Sequence, residues 1–406
     1  MLKTNAPKLV NFASEVDELT LQQAREIASM PFVHPHVALM PDAHYGKGSS
    51  VGAVIPTIDA LIPAAVGVDL GCGMQAARTV YTAGDLADRP PLKELRAALE
   101  ASIPMSAGNY NRGLGRFEFT ERRIATLESE AEAKGVDLQH SPKWREQLGT
   151  LGGGNHFIEL CLDEADRVWM FLHSGSRGVG NKIAQRHIKT AQNLCKRWSV
   201  DLPNPDLAYL PQGVPEFGEY LRDLSWAQRF AYENREEMLD RFRLALARYM
   251  GGGATVAARI GTGGDAAGIE VERVGCHHNY TRREYHGGQN VWLTRKGAID
   301  AHEGVMGLIP GSMGTRSYVV RGKGSAAGLC SAPHGAGRRY SRTKARKLFT
   351  VDDLAARMAG IEYRHGAAWI DEIPDAYKPV EQVIADAGSL IEVCHELRQI
   401  LNCKGT

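Results

Sequence analysis

The sequence predicts a mixed α/β fold of the α+β kind, with antiparallel hairpins in mixed sheets surrounded by helices. One large catalytic domain is expected over residues 1–406. Three observations predict this. Short apolar and β-branched runs bounded by glycine and proline read as strands, some of them only a turn apart. Between them lie stretches with helical spacing and caps. No stretch has the length or Ser/Pro bias of an interdomain linker, although 406 residues are more than one hydrophobic core usually fills.

Along the chain, "VGAVIP" (51–56) is the first expected strand. Leu92, Leu95, Leu99 and Ile103 recur at helical spacing. "SPKWREQL" reads as a helix start, with Ser141 as N-cap and Pro142 at the first helical position. "HFIELCL" (156–162) and "RVWMFLH" (167–173) read as strands joined by the turn Asp163-Glu164-Ala165-Asp166. A long helix is expected from Ser225 to the Gly251-Gly252-Gly253 stop. Strands follow at "NVWLTR" (290–295) and "SYVVRG" (317–322), and a last helix over about 390–401. Residues 105–116, 203–218 and 251–268 read as loops.

Composition narrows the class: 43% hydrophobic and 23% charged residues describe an ordinary globular protein. A formal net charge of +1 means that a polyanionic partner is held by local basic patches, not by a global field. No apolar run approaches the ~18–20 residues of a membrane span, and "MLKTNAPKLVNFASE" lacks a signal-peptide core. Seven cysteines without a CxxC pair argue against a disulfide framework, so a reducing cytoplasm is expected.

Chemistry-bearing residues concentrate in glycine-built motifs. Facing residues of an antiparallel pair keep a constant sum of residue numbers. A four-residue turn centred between Glu164 and Ala165 would therefore set His156 opposite His173. Two imidazoles so placed share a metal or discourage each other's protonation; singly, each would be an ordinary strand-end histidine. "VGVDLGCGM" adds Asp69 and Cys72, where a thiol near cations or a metal becomes a thiolate, and a buried structural cysteine is the alternative. "CHHNY" adds His277 and His278 at opposite-pointing positions, of which at most one joins the same site. A carboxylate, a thiolate and imidazoles suffice for two metal ions if the sulfur bridges; by softness alone zinc would be expected. In "CSAPHGAGRRYSRTKARK" a histidine, His334, stands among small residues that let a ligand approach the backbone. Six cations follow it, suiting either phosphate handling or a basic surface loop.

Together "PDAHYGKGSSVGAVIP", "AAVGVDLGCGM", "LGGGNHFIEL", "HSGSRGVGN", "CHHNY", "TRKGA", "IPGSMGTRSYVVRG", "HGAGRRYSRTKA" and the final "CKG" resemble the RtcB family of RNA-splicing ligases, in family order over nearly the whole chain. The resemblance implies an enzyme that joins RNA 2′,3′-cyclic phosphate or 3′-phosphate ends to 5′-hydroxyl ends with GTP and two Mn²⁺. It implies that His334 is the nucleophile that carries GMP, and that the activated end is RNA(3′)pp(5′)G. By the same resemblance Asp69, Cys72, His156, His173 and His278 bind metal, with Cys72 bridging; here the family overrides the zinc preference. Asn155, Phe157, Ile158, Glu159 and Asn279 would contact GTP. So would Pro310, Gly311, Ser312, Met313, Ser317, Gly335, Ala336, Gly337 and Lys404, with Glu159 reading guanine. Arg177, Arg338 and Arg342 would hold RNA or triphosphate oxygens. Asp42 and the basic cluster from Arg338 to Lys347 are candidates for handling the 5′ strand, with a turn residue after Pro41 as the alternative for Asp42.

Two other classes compete with this one. A dinuclear-metal phosphodiesterase or phosphatase could use the same ligands without ligation, leaving Glu159 and Lys404 with no guanine to read. A non-catalytic RNA-binding protein would need no Cys72. Some relatives also use an activating, archease-like protein partner, for which the sequence carries no marker.

Overall fold

A computed structural model of the chain describes residues 8–251 and 268–406, so the expected loop over 251–268 lies almost wholly outside the described residues. The hairpin forms, pairing Phe157–Leu162 with Arg167–Ser174. Its turn has three residues instead of four. The Asp163 N–H donates to the Arg167 carbonyl at 3.1 Å, and Asp166 sits at φ 56°, the left-handed residue that closes a three-residue loop. The register therefore slips by one from the expected pairing, and His173 faces Phe157.

This hairpin lies within a seven-stranded antiparallel sheet. Its order is Met306–Ile309, Ser317–Gly322, Ile391–Lys404, Phe157–Leu162, Arg167–Ser174, Gly73–Thr82 and Glu270–His277. Alternation along each strand decides what faces what. Phe157, Trp169, Phe171 and Met74 point into a core shared with Ala38, Val54 and Leu293 of a second sheet. That sheet runs Leu9–Asn11, Val37–His44, Val51–Thr57, Gln289–Lys296 and Asn279–His286, parallel at its first pair and antiparallel elsewhere. Ile158, Leu160, Met170 and Leu172 point the other way, onto Met238, Leu239 and Phe242 of the helix Pro215–Tyr249. Each such side chain, fully buried, contributes about 1.5–3 kcal/mol.

Several boundaries differ from those expected. The long helix begins at Pro215, not Ser225, with proline at N1, where its missing N–H costs nothing. The "SPKW" stretch is a turn, with the Ser141 carbonyl accepting from Trp144 N at 3.0 Å. Ser141 therefore caps nothing, and only Trp144–Gln147 is helical. The expected last helix is a strand, Ile391–Lys404. It bulges twice, the register jumping across Cys394 against one neighbour and across Ile400 against the other. Each bulge shifts the in–out parity by one, so Leu397 and Leu401, four residues apart as on one helix face, point into opposite cores.

All seven cysteines are free, and no helix among the described residues is long and apolar enough to cross a membrane.

Candidate active site

The two sheets converge at one end, where the strand register gathers the ligand-bearing segments. Gly73 pairs with Ser174 on one side and His277 on the other, and Met74 with His173. The residues just outside these pairings are therefore neighbours: Cys72 before its strand, His173 at the end of its own, and His278 in the turn between two strands. His156 precedes Phe157 and reaches the same point from the turn. Although it does not face His173 in the ladder, its ring centroid lies 5.3 Å from that of His173.

Two donor groups share one sulfur. Cys72, His173 and His278 form one, and Asp69, Cys72 and His156 the other. Cys72 Sγ is 3.4 Å from His156 Nε2 and 3.3 Å from His173 Nε2. His173 Nε2 and His278 Nε2 are 2.8 Å apart, and His156 Nε2 lies 3.0 Å from Asp69 Oδ2. Burial, then the neighbouring imidazoles, hold the His173 and His278 rings well below their usual pKa, which keeps them unprotonated as metal ligands must be. Burial and then the Asp69 charge push the Cys72 thiol well up; a cation would be needed to ionise it. Burial raises Asp69, but the hydrogen bond and charge of His156 outweigh it and hold the carboxyl below its ordinary range. His156 Nδ1 donates to the Leu151 carbonyl at 2.9 Å, leaving Nε2 to face the cluster. A Cβ at Gly175 would stand 2.2 Å from Asp69 Oδ1, so glycine alone admits the carboxylate.

His334 follows the short strand Ser331–Pro333. Its ring centroid is 4.5 Å from that of His278. Nδ1 lies 2.6 Å from Asp42 Oδ2, and the same carboxylate oxygen accepts from the His334 backbone N–H at 3.2 Å. Asp42 is fully buried inside the strand Val37–His44, so it is not a turn residue after Pro41. Gly337, at φ 74°, lets the loop lie against the Asp42 carbonyl, where a Cβ would come within 2.2 Å. A cavity of about 780 Å³ opens over His334. Asn155, Phe157, Glu159, Asn279, Pro310 to Met313, Gly335 to Gly337, Arg338, Arg342 and Lys404 line it, as do His173 and His278. Ile158 and Ser317 do not. Ile158 points onto the long helix, since strand alternation sends it opposite to Phe157 and Glu159; Ser317 is fully buried at the start of its strand.

A family model described as tRNA-splicing ligase RtcB matches residues 23–405. The chain belongs to the RtcB family. It is 44% identical to the RNA-splicing ligase RtcB1 of an Escherichia coli strain, over 99% of this chain and 98% of that protein. It is 43% identical to RNA-splicing ligase RtcB of Escherichia coli K12, with the same coverage. The tRNA-splicing ligase RtcB of Nanoarchaeum equitans is 28% identical over 94% of this chain and 88% of its own.

Within this RtcB chain, burial pushes the Glu159 carboxyl up to about 8, against the lowering effects of Lys404 and Asn402; Asn402 Nδ2 donates to Glu159 Oε1 at 2.8 Å. The basic run after His334 is largely engaged. Arg338 donates to Tyr377 Oη at 2.8 Å and sits 4.7 Å from the Tyr377 ring centroid. Arg342 pairs with Asp371 at 2.7 Å and with Glu372, and Lys404 Nζ lies 2.9 Å from Glu372 Oε2. Arg177 lines a neighbouring cleft, its Nη1 3.3 Å from His156 Nδ1.

Sequence reasoning missed the acidic hub Asp371–Glu372, Tyr377, and two residues of the long helix. Arg235, fully buried without a carboxylate partner, donates to the carbonyls of Gly71 at 2.9 Å and Ser174 at 3.0 Å, and lies 3.1 Å from His277 Nδ1. Asn234 accepts from Gly149 N at 2.7 Å and donates to the Thr150 and Gly175 carbonyls. These adjacent side chains tie together the segments that carry the metal-ligand candidates. Polar side chains in a core-facing helix were their one signal, and they resembled ordinary helix polarity.

Proposed function

We propose that this chain is a GTP- and Mn²⁺-dependent RNA ligase that joins 2′,3′-cyclic phosphate or 3′-phosphate ends to 5′-hydroxyl ends, in tRNA splicing or RNA repair. The observation that carries the reading is the 2.6 Å contact of His334 Nδ1 with buried Asp42, beside the donor cluster and in the cavity that holds Glu159. A carboxylate accepting from Nδ1–H leaves the lone pair on Nε2. That nitrogen attacks the α-phosphorus of GTP: the N–P bond forms, the bond to the β-phosphate oxygen breaks and pyrophosphate leaves. The Nδ1 proton stays in its bond to Asp42, which stabilises the charge the ring acquires.

A 3′-phosphate oxygen of RNA then displaces His334 from the same phosphorus, giving RNA(3′)pp(5′)G, and the 5′-hydroxyl oxygen finally displaces GMP. Guanine's N1–H and exocyclic amine suit the Glu159 carboxylate, a donor pair that adenine lacks. The donor set fits divalent metal: Asp69, Cys72, His156, His173 and His278 would hold two Mn²⁺, which neutralise phosphate charge. The names of the relatives support RNA as substrate.

The test is label transfer. Protein incubated with Mn²⁺ and GTP labelled at the α-phosphate should carry acid-labile, alkali-stable label, and His334→Ala should carry none. Metal-loaded wild type without label would overturn the mechanism.

A further inference from the structure

In the motif "TRKGA" the arginine, Arg295, is fully buried and lines no part of the cavity over His334. It lies near the end of the strand Gln289–Lys296, between Val51–Thr57 and Asn279–His286 in their sheet. A buried guanidinium is costly unless its N–H groups and its charge are matched. Nη1 and Nη2 donate to the two carboxylate oxygens of Glu284, fork against fork. Burial raises the Glu284 carboxyl, but the hydrogen bonds of His286 and Arg295 outweigh it and hold it below its ordinary range. With its charge matched there, Arg295 directs its other contacts at one short segment. Nε donates to Ser331 Oγ at 2.8 Å, and Nη2 reaches the carbonyls of Cys330 at 3.2 Å and Leu329 at 3.4 Å. Ser331 Oγ in turn donates to the Leu329 carbonyl at 2.9 Å.

That segment leads directly to His334. Leu329 and Cys330 stand at φ 51° and 47°. Two consecutive side-chain-bearing residues in the left-handed region persist only where their surroundings impose it, and Arg295 supplies contacts that do so. Ser331 to Pro333 then pair with Asp300 to Ala298, a short strand that follows Arg295 by way of Gly297. A Cβ at Gly297 would come 3.0 Å from His334 Cε1, so this turn bears on the ring edge between its two nitrogens. Asp42 holds the same ring at Nδ1. One stretch of chain, Arg295 to Asp300, therefore sets the backbone that delivers His334 and bounds its ring.

We propose that Arg295, held by Glu284 and acting through Ser331, is a positioning residue for the nucleophile and sets where the His334 ring stands against the α-phosphorus of GTP. The assignment rests on the ligase reading above and adds to it residues that lie outside the nucleotide cavity and the donor cluster.

The experiment is single-turnover adduct formation from GTP labelled at the α-phosphate, with GTP affinity by calorimetry and bound Mn²⁺ measured on the same preparations. Ser331→Ala removes the hydroxyl that links Arg295 to the segment, and Arg295→Lys keeps the charge without the fork. Each should slow adduct formation by about tenfold or more, as a small misplacement of a reacting group does. GTP affinity and bound Mn²⁺ should stay within about twofold of wild type. Arg282→Gln is the control, since the hydrogen bonds of Arg282 go to the same Glu284, to Asp300 and to His302. It should form the adduct at the wild-type rate. Wild-type rates in Ser331→Ala and Arg295→Lys would overturn the proposal. So would an equal loss in Arg282→Gln, or a slower rate matched by a parallel fall in GTP affinity or bound Mn²⁺, either of which would make the role structural only. Should Arg295→Lys fail to fold, Ser331→Ala alone decides. Wild type that forms no GMP adduct would instead overturn the ligase reading, a result recognisable before any variant is tried.

Discussion

His334 and Glu159 show how single environments set chemistry. The contact of His334 Nδ1 with Asp42 is short and buried, so its worth lies in fixing which nitrogen faces the cavity. Asp42→Asn should leave GTP binding within a few-fold of wild type yet slow single-turnover adduct formation by about 100-fold or more, as loss of an orienting carboxylate does elsewhere. Glu159 carries a pH dependence whose sign follows from burial. Its carboxyl, raised to about 8 in the ligand-free protein, must ionise to accept from guanine. GTP affinity measured by calorimetry should therefore rise about tenfold per pH unit below that value and level off above it. Glu159→Gln should flatten the profile and narrow the preference for GTP over ATP. The same raised pKa favours the folded state fully below the unfolded carboxyl's value, and that contribution is lost as pH rises through about 8.

At the scale of elements, the helix Pro215–Tyr249 does more than cover a sheet. Through Asn234 and Arg235 it fixes the turns that carry Asp69, Cys72, His173 and His156. Arg235→Met should remove the guanidinium donor from the Gly71 and Ser174 carbonyls, of which Gly71 keeps His277 Nδ1 at 2.8 Å, and cost about 1–3 kcal/mol in urea unfolding. Manganese retained after gel filtration should fall with it, and Arg235→Lys should recover part of both. The hairpin was legible because its two strands alternate apolar residues around turn formers. The terminal strand was not, because bulges at Cys394 and Ile400 break the period of two by which a strand is recognised. The start of the long helix was hidden by Pro215 and Gly218, which suggest a loop unless proline is read as a first-turn residue.

Across the whole molecule, the donor cluster sits where both sheets and the long helix meet, so ligation there should couple to global stability. Mn²⁺ at about 100 times its dissociation constant should raise unfolding free energy by about 2.7 kcal/mol, seen as one shifted calorimetric transition. EDTA should reverse the shift and Cys72→Ala should abolish it.

By itself the sequence determined the fold class, the residue types able to hold metal and phosphate, and the order of motifs that identifies the family. Those are properties of local pattern and composition. Only the tertiary structure decided that Asp42 contacts His334, that Ile158 turns away from the cavity that Glu159 lines, and that Asp371 and Glu372 engage the arginines. The physical reason is that each of these depends on a partner far along the chain, and a one-residue change in register or one bulge reverses which side chains meet. His156 and His173 illustrate both halves: their residue types announced a shared site, while the three-residue turn decided by what route their rings reach it.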